Sequence, residues 1–382
     1  MPSIGHIMVD MSASDTVIFV SNPFGFGPTG KIVAVMDALS EKWNGHIVYA
    51  ASEQCQETLG PILRNKIEVI TLSERDEGEL RVLYEKYPEA LVVISLNRTA
   101  TRVAKEMGHV VFFIDSLTWM WDEIPPEYLL ADRYYFYDIF GARDKTSGIA
   151  CAIPISPILG RLPERLCGSK QVLIHIGGFV NPFSNGLAKD YLLLLWEALS
   201  ELEEKLTIAG GGAAIQFLMD QRDNSPNQNI ELGTFEHSEF IQRMSGAERF
   251  VTTPGSTATF EALAMGIPIA FLPPTNLSQW RQSKLFKESG SVLAVVRWED
   301  ILNLETAFET ISEASAVAEF QNVAETVNRD PALRDEASRL IGTLVTAPIQ
   351  ETPLNGQFTS GNAEGSAVIV SDILKLFASG GK

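Results

Sequence analysis

The chain has 382 residues, 45% hydrophobic and 20% charged, with a formal net charge of -18 at pH 7. That length suits two domains better than one core, and no apolar run nears the ~18 residues of a membrane-spanning helix. The acidic balance argues against nucleic acid, whose phosphates need clustered Lys and Arg, but not against a small anion held by backbone amides.

The first fifteen residues lack both a basic start and a long apolar stretch, so no secretory signal is expected and the cytoplasm is the expected compartment. In the N-terminal half, β-branched runs predict strands at Val17–Ser21, His46–Ala50, Ile67–Thr71, Leu91–Ser95 and Val110–Ile114, with helical stretches between them. Strands spaced by helices imply a parallel sheet with ligands at the strand C-terminal ends. Three prolines and two glycines between Ile153 and Lys170 read as a domain connection. Strands are expected again at Val172–Ile176, Leu206–Ala209, Ile230–Leu232, Phe250–Thr252 and Ile269–Leu272. From Thr346 the chain turns rich in Gly, Ser, Thr, Asn and Pro, and Ser366–Phe377 resumes a helical pattern. The expected domains are therefore 1–160, 161–345, and a linker with a terminal helix over 346–382 that packs back.

After the first strand, Gly25, Gly27 and Gly30 satisfy GxGxxG, and Gly25, Gly30 and Lys31 satisfy most of a Walker A loop. Ile32 stands where that loop needs Ser or Thr to hold magnesium, which removes the magnesium NTPase. Glu53, near the end of the second strand, keeps dinucleotide binding open. Cys55, Cys151 and Cys167 are far apart, and no histidine has ligand spacing, so no disulfide framework or metal site is expected. His175 reads as core, and His237 as a capping residue at a helix start that could also touch a nucleotide. Asp115 ends an apolar strand and leads into Ser116, Thr118, Trp119 and Trp121, so it is either a turn or cap residue or a catalytic base. The aromatics at Tyr134–Tyr137 suit the core or a sugar-stacking surface. Asn97, Arg98 and Thr99 either line a pocket or start a helix.

The most informative stretch is Ile230–Gln282. Pro254 and Gly255 end a strand there, and Ser256, Thr257 and Thr259 open the next helix, so its free amides and positive dipole end face the strand-end crevice. Phe260, Leu263, Ala264 and Ile267 share the expected core face, while Thr257, Glu261 and Met265 recur on another. Glu261 is thus expected off the core. Ala258, three residues before it, rules out a capping box. Either Glu261 is a helix-start acid favoured by the dipole, or its carboxylate accepts hydrogen bonds from both hydroxyls of a ribose.

This block resembles the donor-binding half of GT-B glycosyltransferases, above all the bacterial family that adds N-acetylglucosamine to the lipid-linked peptidoglycan precursor. A Gly turn after a strand, a Glu six residues on and a G-x-P five later correspond to Gly255, Glu261 and Gly266–Pro268. The resemblance implies two Rossmann-like α/β domains facing across a cleft. It assigns the nucleotide ribose to Glu261, the donor sugar to Gln282 or Gln279, the base to Phe235, and the donor phosphates to the turn at Gly177 and Gly178. It makes Gly25, Gly27, Gly30 and Lys31 an acceptor-side loop, where the family usually offers a histidine. Lys31 departs from that pattern and, protonated, cannot act as a base, which leaves Asp115 as the candidate.

The expected activity is transfer of a sugar from a UDP- or TDP-linked donor to a hydroxyl or amine of a small-molecule acceptor. It needs no metal or other cofactor beyond the nucleotide-diphosphate sugar, because helix amides stabilise the departing diphosphate. A nucleotide-sugar 2-epimerase of the same fold, a catalytically silent nucleotide-sugar binder, and a homodimer all stay open.

Overall fold

A computed structural model describes residues 15–24, 27–57, 59–166, 168, 170–177, 183–184, 186–222, 229–303, 308, 312–349 and 365–379. Gly25, Gly178 and Cys167 lie outside the described residues. The chain divides into two compact units. One holds Pro28–Arg161 with the strand before it and the C-terminal helix, and the other holds Leu162–Ser360.

The first unit is built on seven parallel strands: β1 (Thr16–Ser21), β2 (His46–Ala51), β3 (Glu68–Thr71), β4 (Leu91–Ser95), β5 (Val111–Asp115), β6 (Arg133–Tyr137) and β7 (Ala152–Ile155). Their order is β3-β2-β1-β4-β5-β6-β7. Helices cover both faces of such a sheet, so its central strands read as unbroken apolar runs, and Val17–Val20 and Leu91–Ile94 are buried throughout. The register sets Ser21 level with Ser95, and Ser95 level with Ile114, which aligns the strand C-terminal ends.

Two strands go beyond the sequence expectation. β6 carries Tyr134, Tyr135, Phe136 and Tyr137, all buried, with Tyr134 stacked 5.9 Å from Phe113, so these aromatics are core and not a sugar-stacking surface. β7 runs into the stretch expected as a connection. Its Pro154 is tolerated because β7 is the edge strand. The C-terminal helix Gly365–Ala378 rests on this unit: Tyr135 donates to Asp372 at 3.1 Å, and Trp43 stacks on Phe377 at 5.2 Å.

The second unit has six parallel strands: β8 (Val172–His175), β9 (Leu206–Ala209), β10 (Ile230–Gly233), β11 (Arg249–Thr252), β12 (Ile269–Phe271) and the short β13 (Ala294–Val295). Their order, β10-β9-β8-β11-β12-β13, reverses between β8 and β11. In a doubly wound sheet that reversal point opens a crevice beyond the strand C-terminal ends, and ligands bind there.

Candidate nucleotide site

The loops at this crevice are laced together by backbone bonds. The amide of Thr253 donates to the carbonyl of His175 at 3.1 Å, joining the ends of β11 and β8, and that of Gly211 donates to Gly177 at 3.0 Å. Gly177 has φ +79°, a left-handed conformation that favours glycine, and its missing side chain leaves the Thr253 hydroxyl close to the backbone. Thr234 Oγ1 donates to the carbonyl of Gly210 at 2.9 Å and ties in the loop after β10.

The helix Ser256–Ala264 starts at the same edge, directly after the Thr253–Gly255 turn. Its N-cap is Gly255, in extended conformation, with no side chain to accept from the first-turn amides. Those amides therefore remain donors aimed at the crevice. The hydroxyl oxygens of Thr257 and Thr259 are buried and have no hydrogen-bond partner among the described residues. Buried polar groups are rarely left so, and in a crevice an incoming ligand can satisfy them.

Glu261, expected off the core, is only 1% exposed, and Ala264, expected on the core face, is exposed. A carboxylate is buried at such depth only when paired. The partner is His237, first residue of the helix His237–Ser245, whose Nε2 lies 2.8 Å from Glu261 Oε1. His237 is thus more than a surface cap. Burial lowers the His237 pKa, but the Glu261 charge and the hydrogen bond to it outweigh that and hold the imidazole above its ordinary value. His175 is pushed down to about 4 by burial. It is half-buried at the end of β8, 4.8 Å from Phe240 and 6.2 Å from Phe250, and neutral at pH 7.

Phe235 follows β10, with the guanidinium of Arg243 4.0 Å above its ring. Gln279 and Gln282 differ sharply. Gln279 Oε1 accepts from the amide of Thr275 at 2.8 Å and from its hydroxyl at 3.0 Å, while Asn276 caps the helix Leu277–Glu288 by accepting from the Gln279 amide at 2.9 Å. The N-x-x-Q spacing of Asn276 and Gln279 is a legible helix-start signature, and it occupies Gln279. Gln282 is buried, and its Nε2 has no partner among the described residues.

No family model matches the chain. Over 143 residues it is 27% identical to a processive diacylglycerol beta-glucosyltransferase of Bacillus pumilus, a stretch covering 37% of this chain and 36% of the relative. The chain thus matches little more than a third of that relative's length. Among solved structures, Os79 from O. sativa in complex with UDP superposes with a TM-score of 0.58 at 13% identity, over 94% of this chain and 100% of that one. MurG from Acinetobacter baumannii superposes at 0.50 and 12% identity, over 94% and 99%. The fold is GT-B.

Toward the N-terminus of this GT-B chain, Gly27, Gly30 and Lys31 are not loop residues. They lie in the helix Gly27–Ser40, where Pro28 in the first turn presets helical φ, and Lys31 is buried. Asn97 caps the helix Arg98–Glu106, accepting from Ala100 at 3.0 Å, and its amide donates to the carbonyls of Ser21 at 3.2 Å and Glu74 at 2.8 Å. It therefore fastens three strand ends. Asp115 is fully buried, and both its oxygens are engaged: Oδ1 by the Leu117 amide at 2.6 Å, Oδ2 by Tyr134 at 2.5 Å and Trp121 at 2.8 Å. Burial pushes its pKa up, against these bonds. A base must reach an acceptor hydroxyl, whereas this carboxylate anchors the turn after β5. Among the described residues no group of three or more His, Cys, Asp or Glu could hold a metal, and no helix is long and apolar enough to cross a membrane.

Proposed function

We propose that this GT-B chain is a glycosyltransferase that moves a sugar from a nucleoside-diphosphate donor, UDP- or TDP-linked, to a hydroxyl or amine of a small-molecule acceptor. The observation that carries the proposal is the Gly255–Glu261 segment at the strand-order reversal. It combines a helix N-terminus without a side-chain cap, two threonine hydroxyls unpartnered among the described residues and a buried carboxylate two turns from the cap. Fixed amides and a helix dipole stabilise a departing diphosphate without reorganising, a role that other transferases give to a metal. Glu261 accepts from the ribose, Phe235 lies beside the base and the free Nε2 of Gln282 donates to the sugar. The UDP bound in Os79 and the glucosyltransferase activity named for the Bacillus pumilus relative support this assignment. Proton removal from the acceptor is assigned to no residue, because Asp115 has both oxygens engaged.

The first test is the melting temperature of the wild type and Glu261→Ala with UDP, TDP, GDP, ADP and NAD, since a ligand bound to the native state stabilises it by mass action. UDP or TDP should raise the wild-type value and leave the variant unmoved. Stabilisation by NAD alone, or by no nucleotide, overturns the proposal. UDP release from a UDP-sugar that depends on added acceptor, with and without chelator, then separates a metal-independent transferase from an epimerase, which isomerises the sugar, and from a silent binder, which does neither.

A further inference from the structure

We propose that His237 is a positioning residue: its hydrogen bond to Glu261 Oε1 holds the carboxylate where Oε2 can accept from a ribose hydroxyl, so ribonucleotide preference depends on the corner between β10 and the next helix. This rests on the ribose assignment of Glu261 made above.

Glu261 projects from the middle of the helix Ser256–Ala264 with its side chain 2% exposed, and among the described residues His237 alone hydrogen-bonds to that side chain. A glutamate has three side-chain torsions, and its helix restricts only the first of them, leaving alternative wells for the outer two. The imidazole does, by fixing one oxygen and leaving the other free. His237 is itself fixed, as the first residue of its helix, two positions after Phe235, in a loop tied through Thr234 to Gly210. The segment from Thr234 to His237 therefore serves a nucleoside twice, directly through Phe235 and indirectly through Glu261. Without the imidazole, a buried carboxylate must rotate toward water or take up a proton. In either case it no longer presents a charged acceptor to a diol.

The test is calorimetric binding of UDP and of 2′,3′-dideoxyuridine diphosphate to the wild type, His237→Gln and His237→Asn. The Gln amide nitrogen reaches the place of the imidazole Nε2, and the shorter Asn amide does not. Hydrogen bonds to a charged group imply that the wild type prefers UDP by about tenfold or more. His237→Gln should keep that ratio within about threefold, and His237→Asn should bring it near one. Loss of the preference in both variants also supports the proposal and assigns the effect to the imidazolium charge. A His237→Asn protein that keeps the wild-type ratio overturns it, as does one that weakens both ligands equally, because a purely structural role moves the two together. A wild type that binds UDP without preferring it, or does not bind it, defeats the ribose assignment instead.

Discussion

Phe235 reaches over Gly233 so closely that a Cβ built on the glycine would run into ring atoms Cε1, Cε2 and Cζ. The Arg243 guanidinium lies 4.0 Å from the same ring. Gly233→Ala should therefore push Phe235 away and destabilise the protein by about 1–3 kcal/mol, the usual range for overpacking. The cost should nearly vanish in a Phe235→Ala background. Thermal or urea unfolding of both single variants and the double variant checks this, and additive effects would show that the two residues do not compete for space.

Asp115 accepts from Leu117, Tyr134 and Trp121, so Asp115→Asn must set an amide N–H₂ against at least one of these donors. A drop of about 2 kcal/mol in unfolding free energy is expected, with UDP affinity unchanged. A variant that melts like the wild type yet has lost sugar transfer would return Asp115 to the role of base.

The His237–Glu261 pair sets a pH dependence whose sign follows from the raised imidazole pKa. Protonation is favoured in the folded state, so the stabilisation is complete below the unfolded value of 6.5 and fades as pH rises through the higher folded value. The melting-temperature gap between wild type and His237→Gln should be widest near about pH 6 and narrow toward about pH 9. A gap that grows with pH contradicts the pairing.

Glu313 opens the helix Glu313–Arg329, and burial raises its pKa to about 7, only partly offset by the nearby amides of Ser278 and Leu277. Neither carboxyl oxygen has a well-aligned hydrogen bond among the described residues. The folded state therefore keeps a proton that the unfolded chain has lost, and stability falls as pH rises from 4.5 to about 7. Glu313→Gln should be more stable than the wild type by about 1–3 kcal/mol near about pH 8 and gain little near about pH 5. Equal gains at both values would remove ionisation as the cause.

Much of this was legible in the sequence, for local reasons. A buried parallel strand is a short β-branched run, so ten strands are found within a residue or two of their expected limits. β6 is aromatic, β7 contains a proline, and β13 is two residues long, and each lacks that signature. The start of the helix after Gly255 was readable from the Pro254–Gly255 punctuation. The loop expected at Gly27–Lys31 failed because Pro28 begins a helix as readily as it ends one.

By itself, then, the sequence determined two parallel α/β units and a helix N-terminus left without a side-chain cap beyond a strand, because strand patterning and turn chemistry are local. Only the tertiary structure decided what became of the polar side chains. It buried Glu261 against a histidine 24 residues away, left Gln282 Nε2 without a partner among the described residues while occupying Gln279, and enclosed Asp115. The physical reason is that a side chain's charge, rotamer and free hydrogen-bonding atoms are set by neighbours brought together in space, and one-dimensional spacing does not encode that contact.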